Sequence, residues 1–99
     1  MYALSFKEEV FFDIKVAYDW YEKQRVGLGE DFLLSLEASY ANIVRDPQIY
    51  QNIYKSVRRK LIGRFPYAVF FVLDEERKQI IVIAVMHTKR NPKNWTKRT

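Results

Sequence analysis

The stretch Gln79-Ile80-Ile81-Val82-Ile83-Ala84-Val85-Met86-His87 is apolar at every position between its ends, so a strand built from it must be covered on both faces. That is the pattern of an interior strand. Before it, Asp74 to Lys78 is a charged hairpin loop, and in Tyr67 to Leu73 the residues Tyr67, Val69, Phe71 and Leu73 alternate with Ala68, Phe70 and Val72. This gives a second strand with two apolar faces. Pro66 has no N–H to donate to a ladder, which places it at the start of that strand. Further upstream, Gly63-Arg64 suits a turn, and Lys55 to Ile62 reads as a third strand. Val57, Arg59 and Leu61 lie on one side of it; Ser56, Arg58 and Lys60 lie on the other.

Toward the N-terminus the period changes. From Glu8 to Arg25, Val10, Ile14, Ala17 and Tyr21 recur at spacings of four, three and four, which puts them on one face of a helix. Phe11, Tyr18 and Trp20 are expected to widen that face. Gly27 suits the left-handed position that closes a helix. A second helix follows, with Phe32, Leu33, Leu36, Tyr40, Ile43 and Val44 on its apolar side and Pro47 after its end. So short a link makes an antiparallel helical hairpin. Tyr2, Leu4 and Phe6 alternate as a short strand, although Ser5 with Glu8 also fits a capping box; the helix start falls near Lys7 or Glu8. Pro47 to Tyr54 shows no period and is read as a crossing loop pinned by Ile49 and Ile53.

The order is β-α-α-β-β-β, an α+β fold with an N-terminal strand and the helical hairpin packed on one face of an antiparallel sheet. The other sheet face is expected to stay open, an apolar surface flanked by bases and therefore a partner site. The 99 residues make one domain, 1–99, with residues 88–99 a basic C-terminal tail.

Composition narrows the function. With 48% hydrophobic and 16% aromatic residues the chain can offset its ordering entropy and is not disordered. The net charge of +5 is unevenly placed: from Lys55 onward there are twelve bases and three acids. An anionic partner, nucleic acid or acidic protein, fits that asymmetry; so does a basic surface kept for solubility. No cysteine and a single histidine exclude thiolate metal sites and make a protein-only zinc site improbable; no cofactor is expected. Ile80 to Met86 is the longest apolar run, far short of the roughly 20 residues of a membrane span. The first residues lack the pattern of a signal peptide. A cytoplasmic protein is the expectation.

Several side chains have chemical potential. Arg58, Arg59, Lys60 and Arg64 can neutralise phosphates, or can protect an edge strand against strand addition. His87, with Arg64 and Arg90, can act as acid or base on a phosphodiester; alternatively it ends its strand through a local hydrogen bond. Trp95 either stacks on a base or docks on the domain. Asp13, central in an apolar helix, is expected to pair with a base of the sheet. Gly27-Leu28-Gly29 is a turn and not a phosphate loop, since a helix precedes it and no Gly-Lys-Ser/Thr follows.

Taken together, Trp20-Tyr21-Glu22, Gly27-Leu28-Gly29 with Phe32, Asp46-Pro47, Val57-Arg58-Arg59, Arg64-Phe65-Pro66-Tyr67, and His87 with Arg90, Pro92 and Trp95 resemble the RelE/ParE superfamily of bacterial toxins. The resemblance runs from about Val10 to Arg98. It implies the toxin of a type II toxin–antitoxin pair, neutralised by a small antitoxin with an acidic C-terminal segment that folds as it binds. RelE-like members cleave messenger RNA on the ribosome; in that case His87, Arg64, Arg58 and Arg90 would be catalytic. ParE-like members bind DNA gyrase and trap it on broken DNA; then Arg58, Arg59, Lys60, Arg64, Lys89, Arg90 and Trp95 would make contacts. The chain end, Asn94 to Thr99, lacks the terminal tyrosine of many nucleases of this group, and the Gly-Leu-Gly and Arg-Phe-Pro-Tyr elements look closer to the ParE-like, plasmid-stabilisation branch. A nucleic-acid-binding module without toxicity is the remaining alternative.

Overall fold

Gln79–His87 is the fifth strand and lies inside the sheet. The computed structural model describes all 99 residues. Along the chain run β1 (Ala3–Phe6), α1 (Glu9–Gln24), α2 (Leu28–Arg45), a 3-10 turn (Pro47–Ile49), β2 (Asn52–Tyr54), β3 (Val57–Leu61), β4 (Tyr67–Asp74), β5 (Gln79–His87) and a four-residue helix, α3 (Lys93–Thr96). The five strands form one sheet in the order β1-β5-β4-β3-β2. It is antiparallel from β5 to β2, while β1 joins β5 in parallel, Leu4 beside Ile80. The long connection through the hairpin and three strands, which separates β1 from β5, permits that parallel pairing.

Glu22 fixes the helical hairpin. Gly27 takes the left-handed conformation (φ 92°), and the Glu22 carboxylate accepts from the N–H groups of Gly27 (3.0 Å) and Gly29 (2.9 Å). The otherwise unpaired donors at the start of α2 are thereby satisfied by a charge of the sign that a helix N-terminus favours. Residue 29 has to be small: a Cβ there would lie 2.8 Å from the Tyr18 ring. The hairpin buries Val10, Ala17, Phe32, Leu36 and Ile43 against Val69, Phe71, Ile80, Val82 and Val85. At one end of this layer Tyr21, Phe32, Phe65 and Tyr67 meet mostly edge to face, with centroids 4.9–5.8 Å apart; such pairs add about 0.5–1.5 kcal/mol each beyond area burial.

The opposite sheet face is not open. Trp95 of α3 stacks on Phe70 (4.7 Å, 20° between planes) and meets Tyr54 edge to face. With Val57, Ala68, Ile83, Ala84 and Met86 it forms a second core. The expectation of a free apolar face is corrected by the tail, which folds back as the missing cover. The crossing segment also has more structure than a loop. Its buried residue is Pro47, whereas Ile49 is exposed; Asn52–Tyr54 adds an edge strand on β3. On α1, Phe11 and Trp20 do not widen the buried face but point to solvent.

A bulge on β5 prepares the next contact. The register steps from Phe70 opposite Ala84 to Phe71 opposite Val82, leaving Ile83 without a partner on β4. β1 ends at Phe6, opposite Val82, so beyond that point the edge of β5 needs other partners. Asp13 Oδ2 accepts from the Val85 N–H (3.1 Å), and Arg98 Nη1 donates to the Ile83 carbonyl (3.0 Å) and to Asp13 (2.7 Å). Asp13 thus pairs with a base of the tail, not of the sheet.

Candidate functional site

A concavity of ≈ 740 Å³ runs between α1 and the tail. Its α1 wall presents Glu9, Phe12, Asp13 and Val16; Tyr67, Val85 and Met86 form the floor; Arg90, Asn94, Lys97 and Arg98 form the opposite wall. Each wall has a local cause. Four-residue spacing puts Phe12 and Val16 one above the other on the helix. The tail wall is held by two anchors, Trp95 in the second core and Arg98 on Asp13. Because Arg98 is occupied by Asp13, the cations left to a ligand on this wall are Arg90 and Lys97.

Tyr67, His87 and Arg90 come together at one end of the sheet. Tyr67 faces His87 across the β4–β5 ladder, and their rings meet edge to face at 5.4 Å. Burial pushes the Tyr67 phenol up, and the positive charge of Arg90 opposes that shift. His87 Nδ1 accepts from the Lys89 N–H (3.1 Å), which assigns the ring proton of the neutral imidazole to Nε2. The Arg90 N–H is bonded to the His87 carbonyl (3.0 Å), so residues 87–90 form a tight turn that carries both side chains.

The basic strand lies elsewhere. Arg58 is opposite Phe71 and His87 is opposite Tyr67. Four strand residues and two strand spacings separate their backbones, about 13 Å along the sheet and roughly 10 Å across it. The Arg58 guanidinium donates to the carbonyls of Gln48 (3.2 Å) and Tyr50 (2.9 Å). It therefore fastens the crossing segment to β3. Arg59 stands on the opposite face, level with Phe70. Lys60 lies near the Tyr50 ring (5.7 Å), and with Arg64, Gly63 and α2 residues including Ser35 and Asn42 it borders a shallow hollow of ≈ 240 Å³. Arg64, in the left-handed region at φ 73°, reaches Asp31 at 3.9 Å.

The sequence-identified residues are thus dispersed. His87 and Arg90 adjoin the cleft beside Tyr67, which the sequence reading does not single out as a site residue; Lys60 and Arg64 share the small hollow; Arg58 is tied to backbone carbonyls; Arg59 stands on the other sheet face. Lys89 is exposed at the 87–90 turn. Trp95, read from sequence as either stacking on a target or docking on the domain, takes the second course: it is 6% exposed and stacked on Phe70, a core side chain in this fold and not a free contact residue. What the sequence reading missed is the α1 wall. Phe12, Val16 and Trp20 recur at i, i+4 and i+8, off the Val10–Ile14–Ala17–Tyr21 face, a signal present in the chain but masked because the neighbouring Phe11 and Tyr18 make the aromatic residues of α1 look like one widened buried face. No cluster of three or more His, Cys, Asp or Glu converges as a metal site, and no helix is long and apolar enough to cross a membrane.

The family model of the ParE toxin of type II toxin–antitoxin systems, parDE, matches residues 4–92. No curated protein sequence matches significantly. Among solved structures, the chromosomal ParDE TA system from P. aeruginosa is similar at TM-score 0.59 and 19% identity, covering 88% of this chain and 96% of that one. The isolated E. coli RelE toxin is similar at TM-score 0.59 and 15% identity, covering 95% and 92% respectively. At these identities the likeness is one of fold, and it is the fold built above.

Proposed function

Because the chain belongs to the ParE toxin family of type II toxin–antitoxin systems, we propose that it acts as a ParE-like toxin that binds DNA gyrase and holds it on broken DNA, with a cognate antitoxin neutralising it. The observation that carries the choice of target is the dispersal of the cations. A ribonuclease of the RelE type would need Arg58, Arg64, His87 and Arg90 around one phosphodiester, since charge stabilisation acts only on groups that reach the reacting atoms. Here Arg58 is bound to Gln48 and Tyr50, and Arg64 leans toward Asp31. Contact with a protein target makes no such demand.

The ribonuclease reading keeps one observation in its favour: Tyr67, His87 and Arg90 adjoin one another beside the cleft. A paired experiment separates the two. Purified chain is added to gyrase in a supercoiling assay and, separately, to ribosomes translating a defined message. Inhibition of supercoiling, unchanged by His87→Ala, is expected, with the transcript intact. Transcript cleavage that disappears in both His87→Ala and Arg90→Ala, with gyrase unaffected, would replace the gyrase reading by the ribonuclease one.

A further inference from the structure

Three exposed apolar side chains, Phe12 (69%), Val16 (45%) and Trp20 (58%), lie along one side of α1, and four-residue spacing makes them a continuous stripe. Nothing in the chain covers it, although the other large apolar surface, the second sheet face, is closed by Trp95. An uncovered apolar stripe of this kind on a water-facing helix marks an interaction surface.

The ends of the stripe identify its occupant. Glu9 and Lys23 lie seven residues before and after Val16, two helical turns away on the same side, and both are exposed. Neither forms an ion pair within the chain. Along this side Glu9, Phe12, Val16, Trp20 and Lys23 follow at spacings of three, four, four and three, the same from either end. A second copy of the helix, laid antiparallel about a two-fold axis through Val16, therefore sets Val16 against Val16, Phe12 against Trp20 and Glu9 against Lys23. Apolar groups meet at the centre and opposite charges close both ends, as in an antiparallel helix seam. The same rotation brings Asp13 toward Asp19, but each is already neutralised in its own chain, by Arg98 and Lys15. Symmetry about one residue is a requirement of an isologous contact and of no other. Nucleic acid fits poorly, because α1 carries Glu9, Asp13, Asp19 and Glu22 against only Lys15 and Lys23, an excess of negative charge that repels a phosphate backbone.

We propose that the chain self-associates as a two-fold dimer through α1, with Val16 on the axis. The pairing stands independently of the choice of toxin target. Phe12 and Val16 also line the cleft, so the dimer covers one cleft wall in each copy and only the monomer presents that wall. A seam of two helices is small. The dimer is accordingly reversible, and its population follows the concentration of the chain.

Sedimentation velocity of the full chain over a range of concentrations, joined to a cysteine cross-link, tests the pairing. Wild type is expected to move from monomer toward dimer as concentration rises. Phe12→Glu should weaken association at least about a hundredfold, as loss of an apolar anchor does. Glu9→Lys and Lys23→Glu should each weaken it about tenfold, because every change acts twice across the axis. Glu9→Lys/Lys23→Glu, which exchanges the charges, should return it to the wild-type level. The chain has no cysteine, so Val16→Cys carries a single thiol; on oxidation with copper phenanthroline it should form a covalent dimer. Leu34→Cys, exposed on α2 (64%), should not. All these positions face solvent, and the variants should keep the wild-type circular dichroism. A wild-type chain that stays monomeric at every concentration, with no cross-link in Val16→Cys, would assign the stripe to a different molecule and overturn the proposal. Association that survives Phe12→Glu, or equal cross-linking of Leu34→Cys, would overturn it by placing the contact elsewhere. A charge exchange that associates no better than either single change would overturn the antiparallel register.

Discussion

Asp13 and Arg98, 85 positions apart, form a two-point ion pair, 2.7 Å from Nη1 to Oδ2 and 3.2 Å from Nη2 to Oδ1, with side chains only 7% and 15% exposed. The pair does more than join two charges. Each partner also bonds to the stretch of β5 that β1 is too short to reach, Asp13 to the Val85 N–H and Arg98 to the Ile83 carbonyl. Removing one partner leaves the other buried without its counter-charge, at a typical cost of about 3–5 kcal/mol. Asp13→Ala and Arg98→Ala are each expected to destabilise by that order, and the double variant by clearly less than their sum. A double-mutant cycle from urea denaturation measures the coupling. Single costs under about 1 kcal/mol, the range of exposed pairs, would mean that the tail is held by Trp95 alone.

Much of this arrangement was readable beforehand, and the exceptions have physical causes. The interior strand, the helical hairpin, the left-handed Gly27 and the strand start after Pro66 all rest on local signals: period, punctuation and a missing N–H. The closed second face was not readable in that way, because Lys93-Asn94-Trp95-Thr96 is too short to show a period and its cover depends on Trp95 meeting Phe70 from 25 positions away. The edge strand Asn52–Tyr54 is likewise three residues long and exists only by pairing with β3. For the site, residue types were legible and their grouping was not: Arg58 and Arg64 look alike in sequence, yet one is spent on carbonyls and the other reaches an aspartate. Such division depends on which loop happens to lie beside each strand.

Trp95 is the cover of the second core, and its loss should act on Phe70, Ala68 and Met86 together. Trp95→Ala is expected to cost about 3–5 kcal/mol and to expose apolar surface that binds a hydrophobic dye. A spectroscopic control is built in, since Trp20 is exposed and Trp95 buried. In Trp20→Phe, the remaining emission should be blue-shifted in the native state and should lose that shift at the same denaturant concentration as the far-ultraviolet circular dichroism. An earlier loss would show the tail undocking as a separate unit.

Gly29 is confined by Tyr18 and by the carboxylate that caps its own N–H. A Cβ at this position would sit 2.8 Å from the Tyr18 ring and 2.9 Å from Glu22. Gly29→Ala is therefore expected to destabilise by roughly 1–3 kcal/mol, although alanine is the better helix former. Glu22→Ala should also destabilise, by about 1–2 kcal/mol, through the two uncapped N–H groups. Chemical denaturation checks both; a more stable Gly29→Ala chain would show that Tyr18 yields freely.

Tyr40 presents the reverse case. Its hydroxyl is buried with no hydrogen-bond partner, and burial, helped by the negative charge of Asp13, holds the phenol far above its ordinary range. An unpaired buried hydroxyl carries a desolvation cost with no return. Tyr40→Phe keeps the ring contact with Phe6, 5.3 Å between centroids, and is expected to be neutral or stabilising by up to about 1 kcal/mol. A loss of more than 1 kcal/mol in urea denaturation would reveal a partner for the hydroxyl.

At the far end of the sheet, Tyr2, Gln48 and Glu75 fasten β1, the 3-10 turn and the β4–β5 loop together. The Tyr2 hydroxyl donates to Glu75 (2.7 Å), and the Gln48 amide donates to Tyr2 (2.6 Å) and Glu75 (3.3 Å). The hydrogen bond from Tyr2 holds the Glu75 carboxyl below its ordinary value of 4.5, and the same bond raises Tyr2 above 10.0. Their linkage to stability has opposite signs. Glu75, depressed in the fold, stabilises above its unfolded value and loses that contribution as pH falls through the folded one; Tyr2, raised, stabilises below its unfolded value and loses it as pH rises through the folded one. The difference in melting temperature between wild type and Tyr2→Phe should therefore be steady from about pH 5 to 9 and shrink toward about pH 3 and above about pH 10. Asp74 is also held low, by the Arg77 backbone and side chain, but it is present in both proteins and cancels in the difference. A difference that persists undiminished at about pH 3 would mean that Tyr2 acts through packing and not through the ionised Glu75.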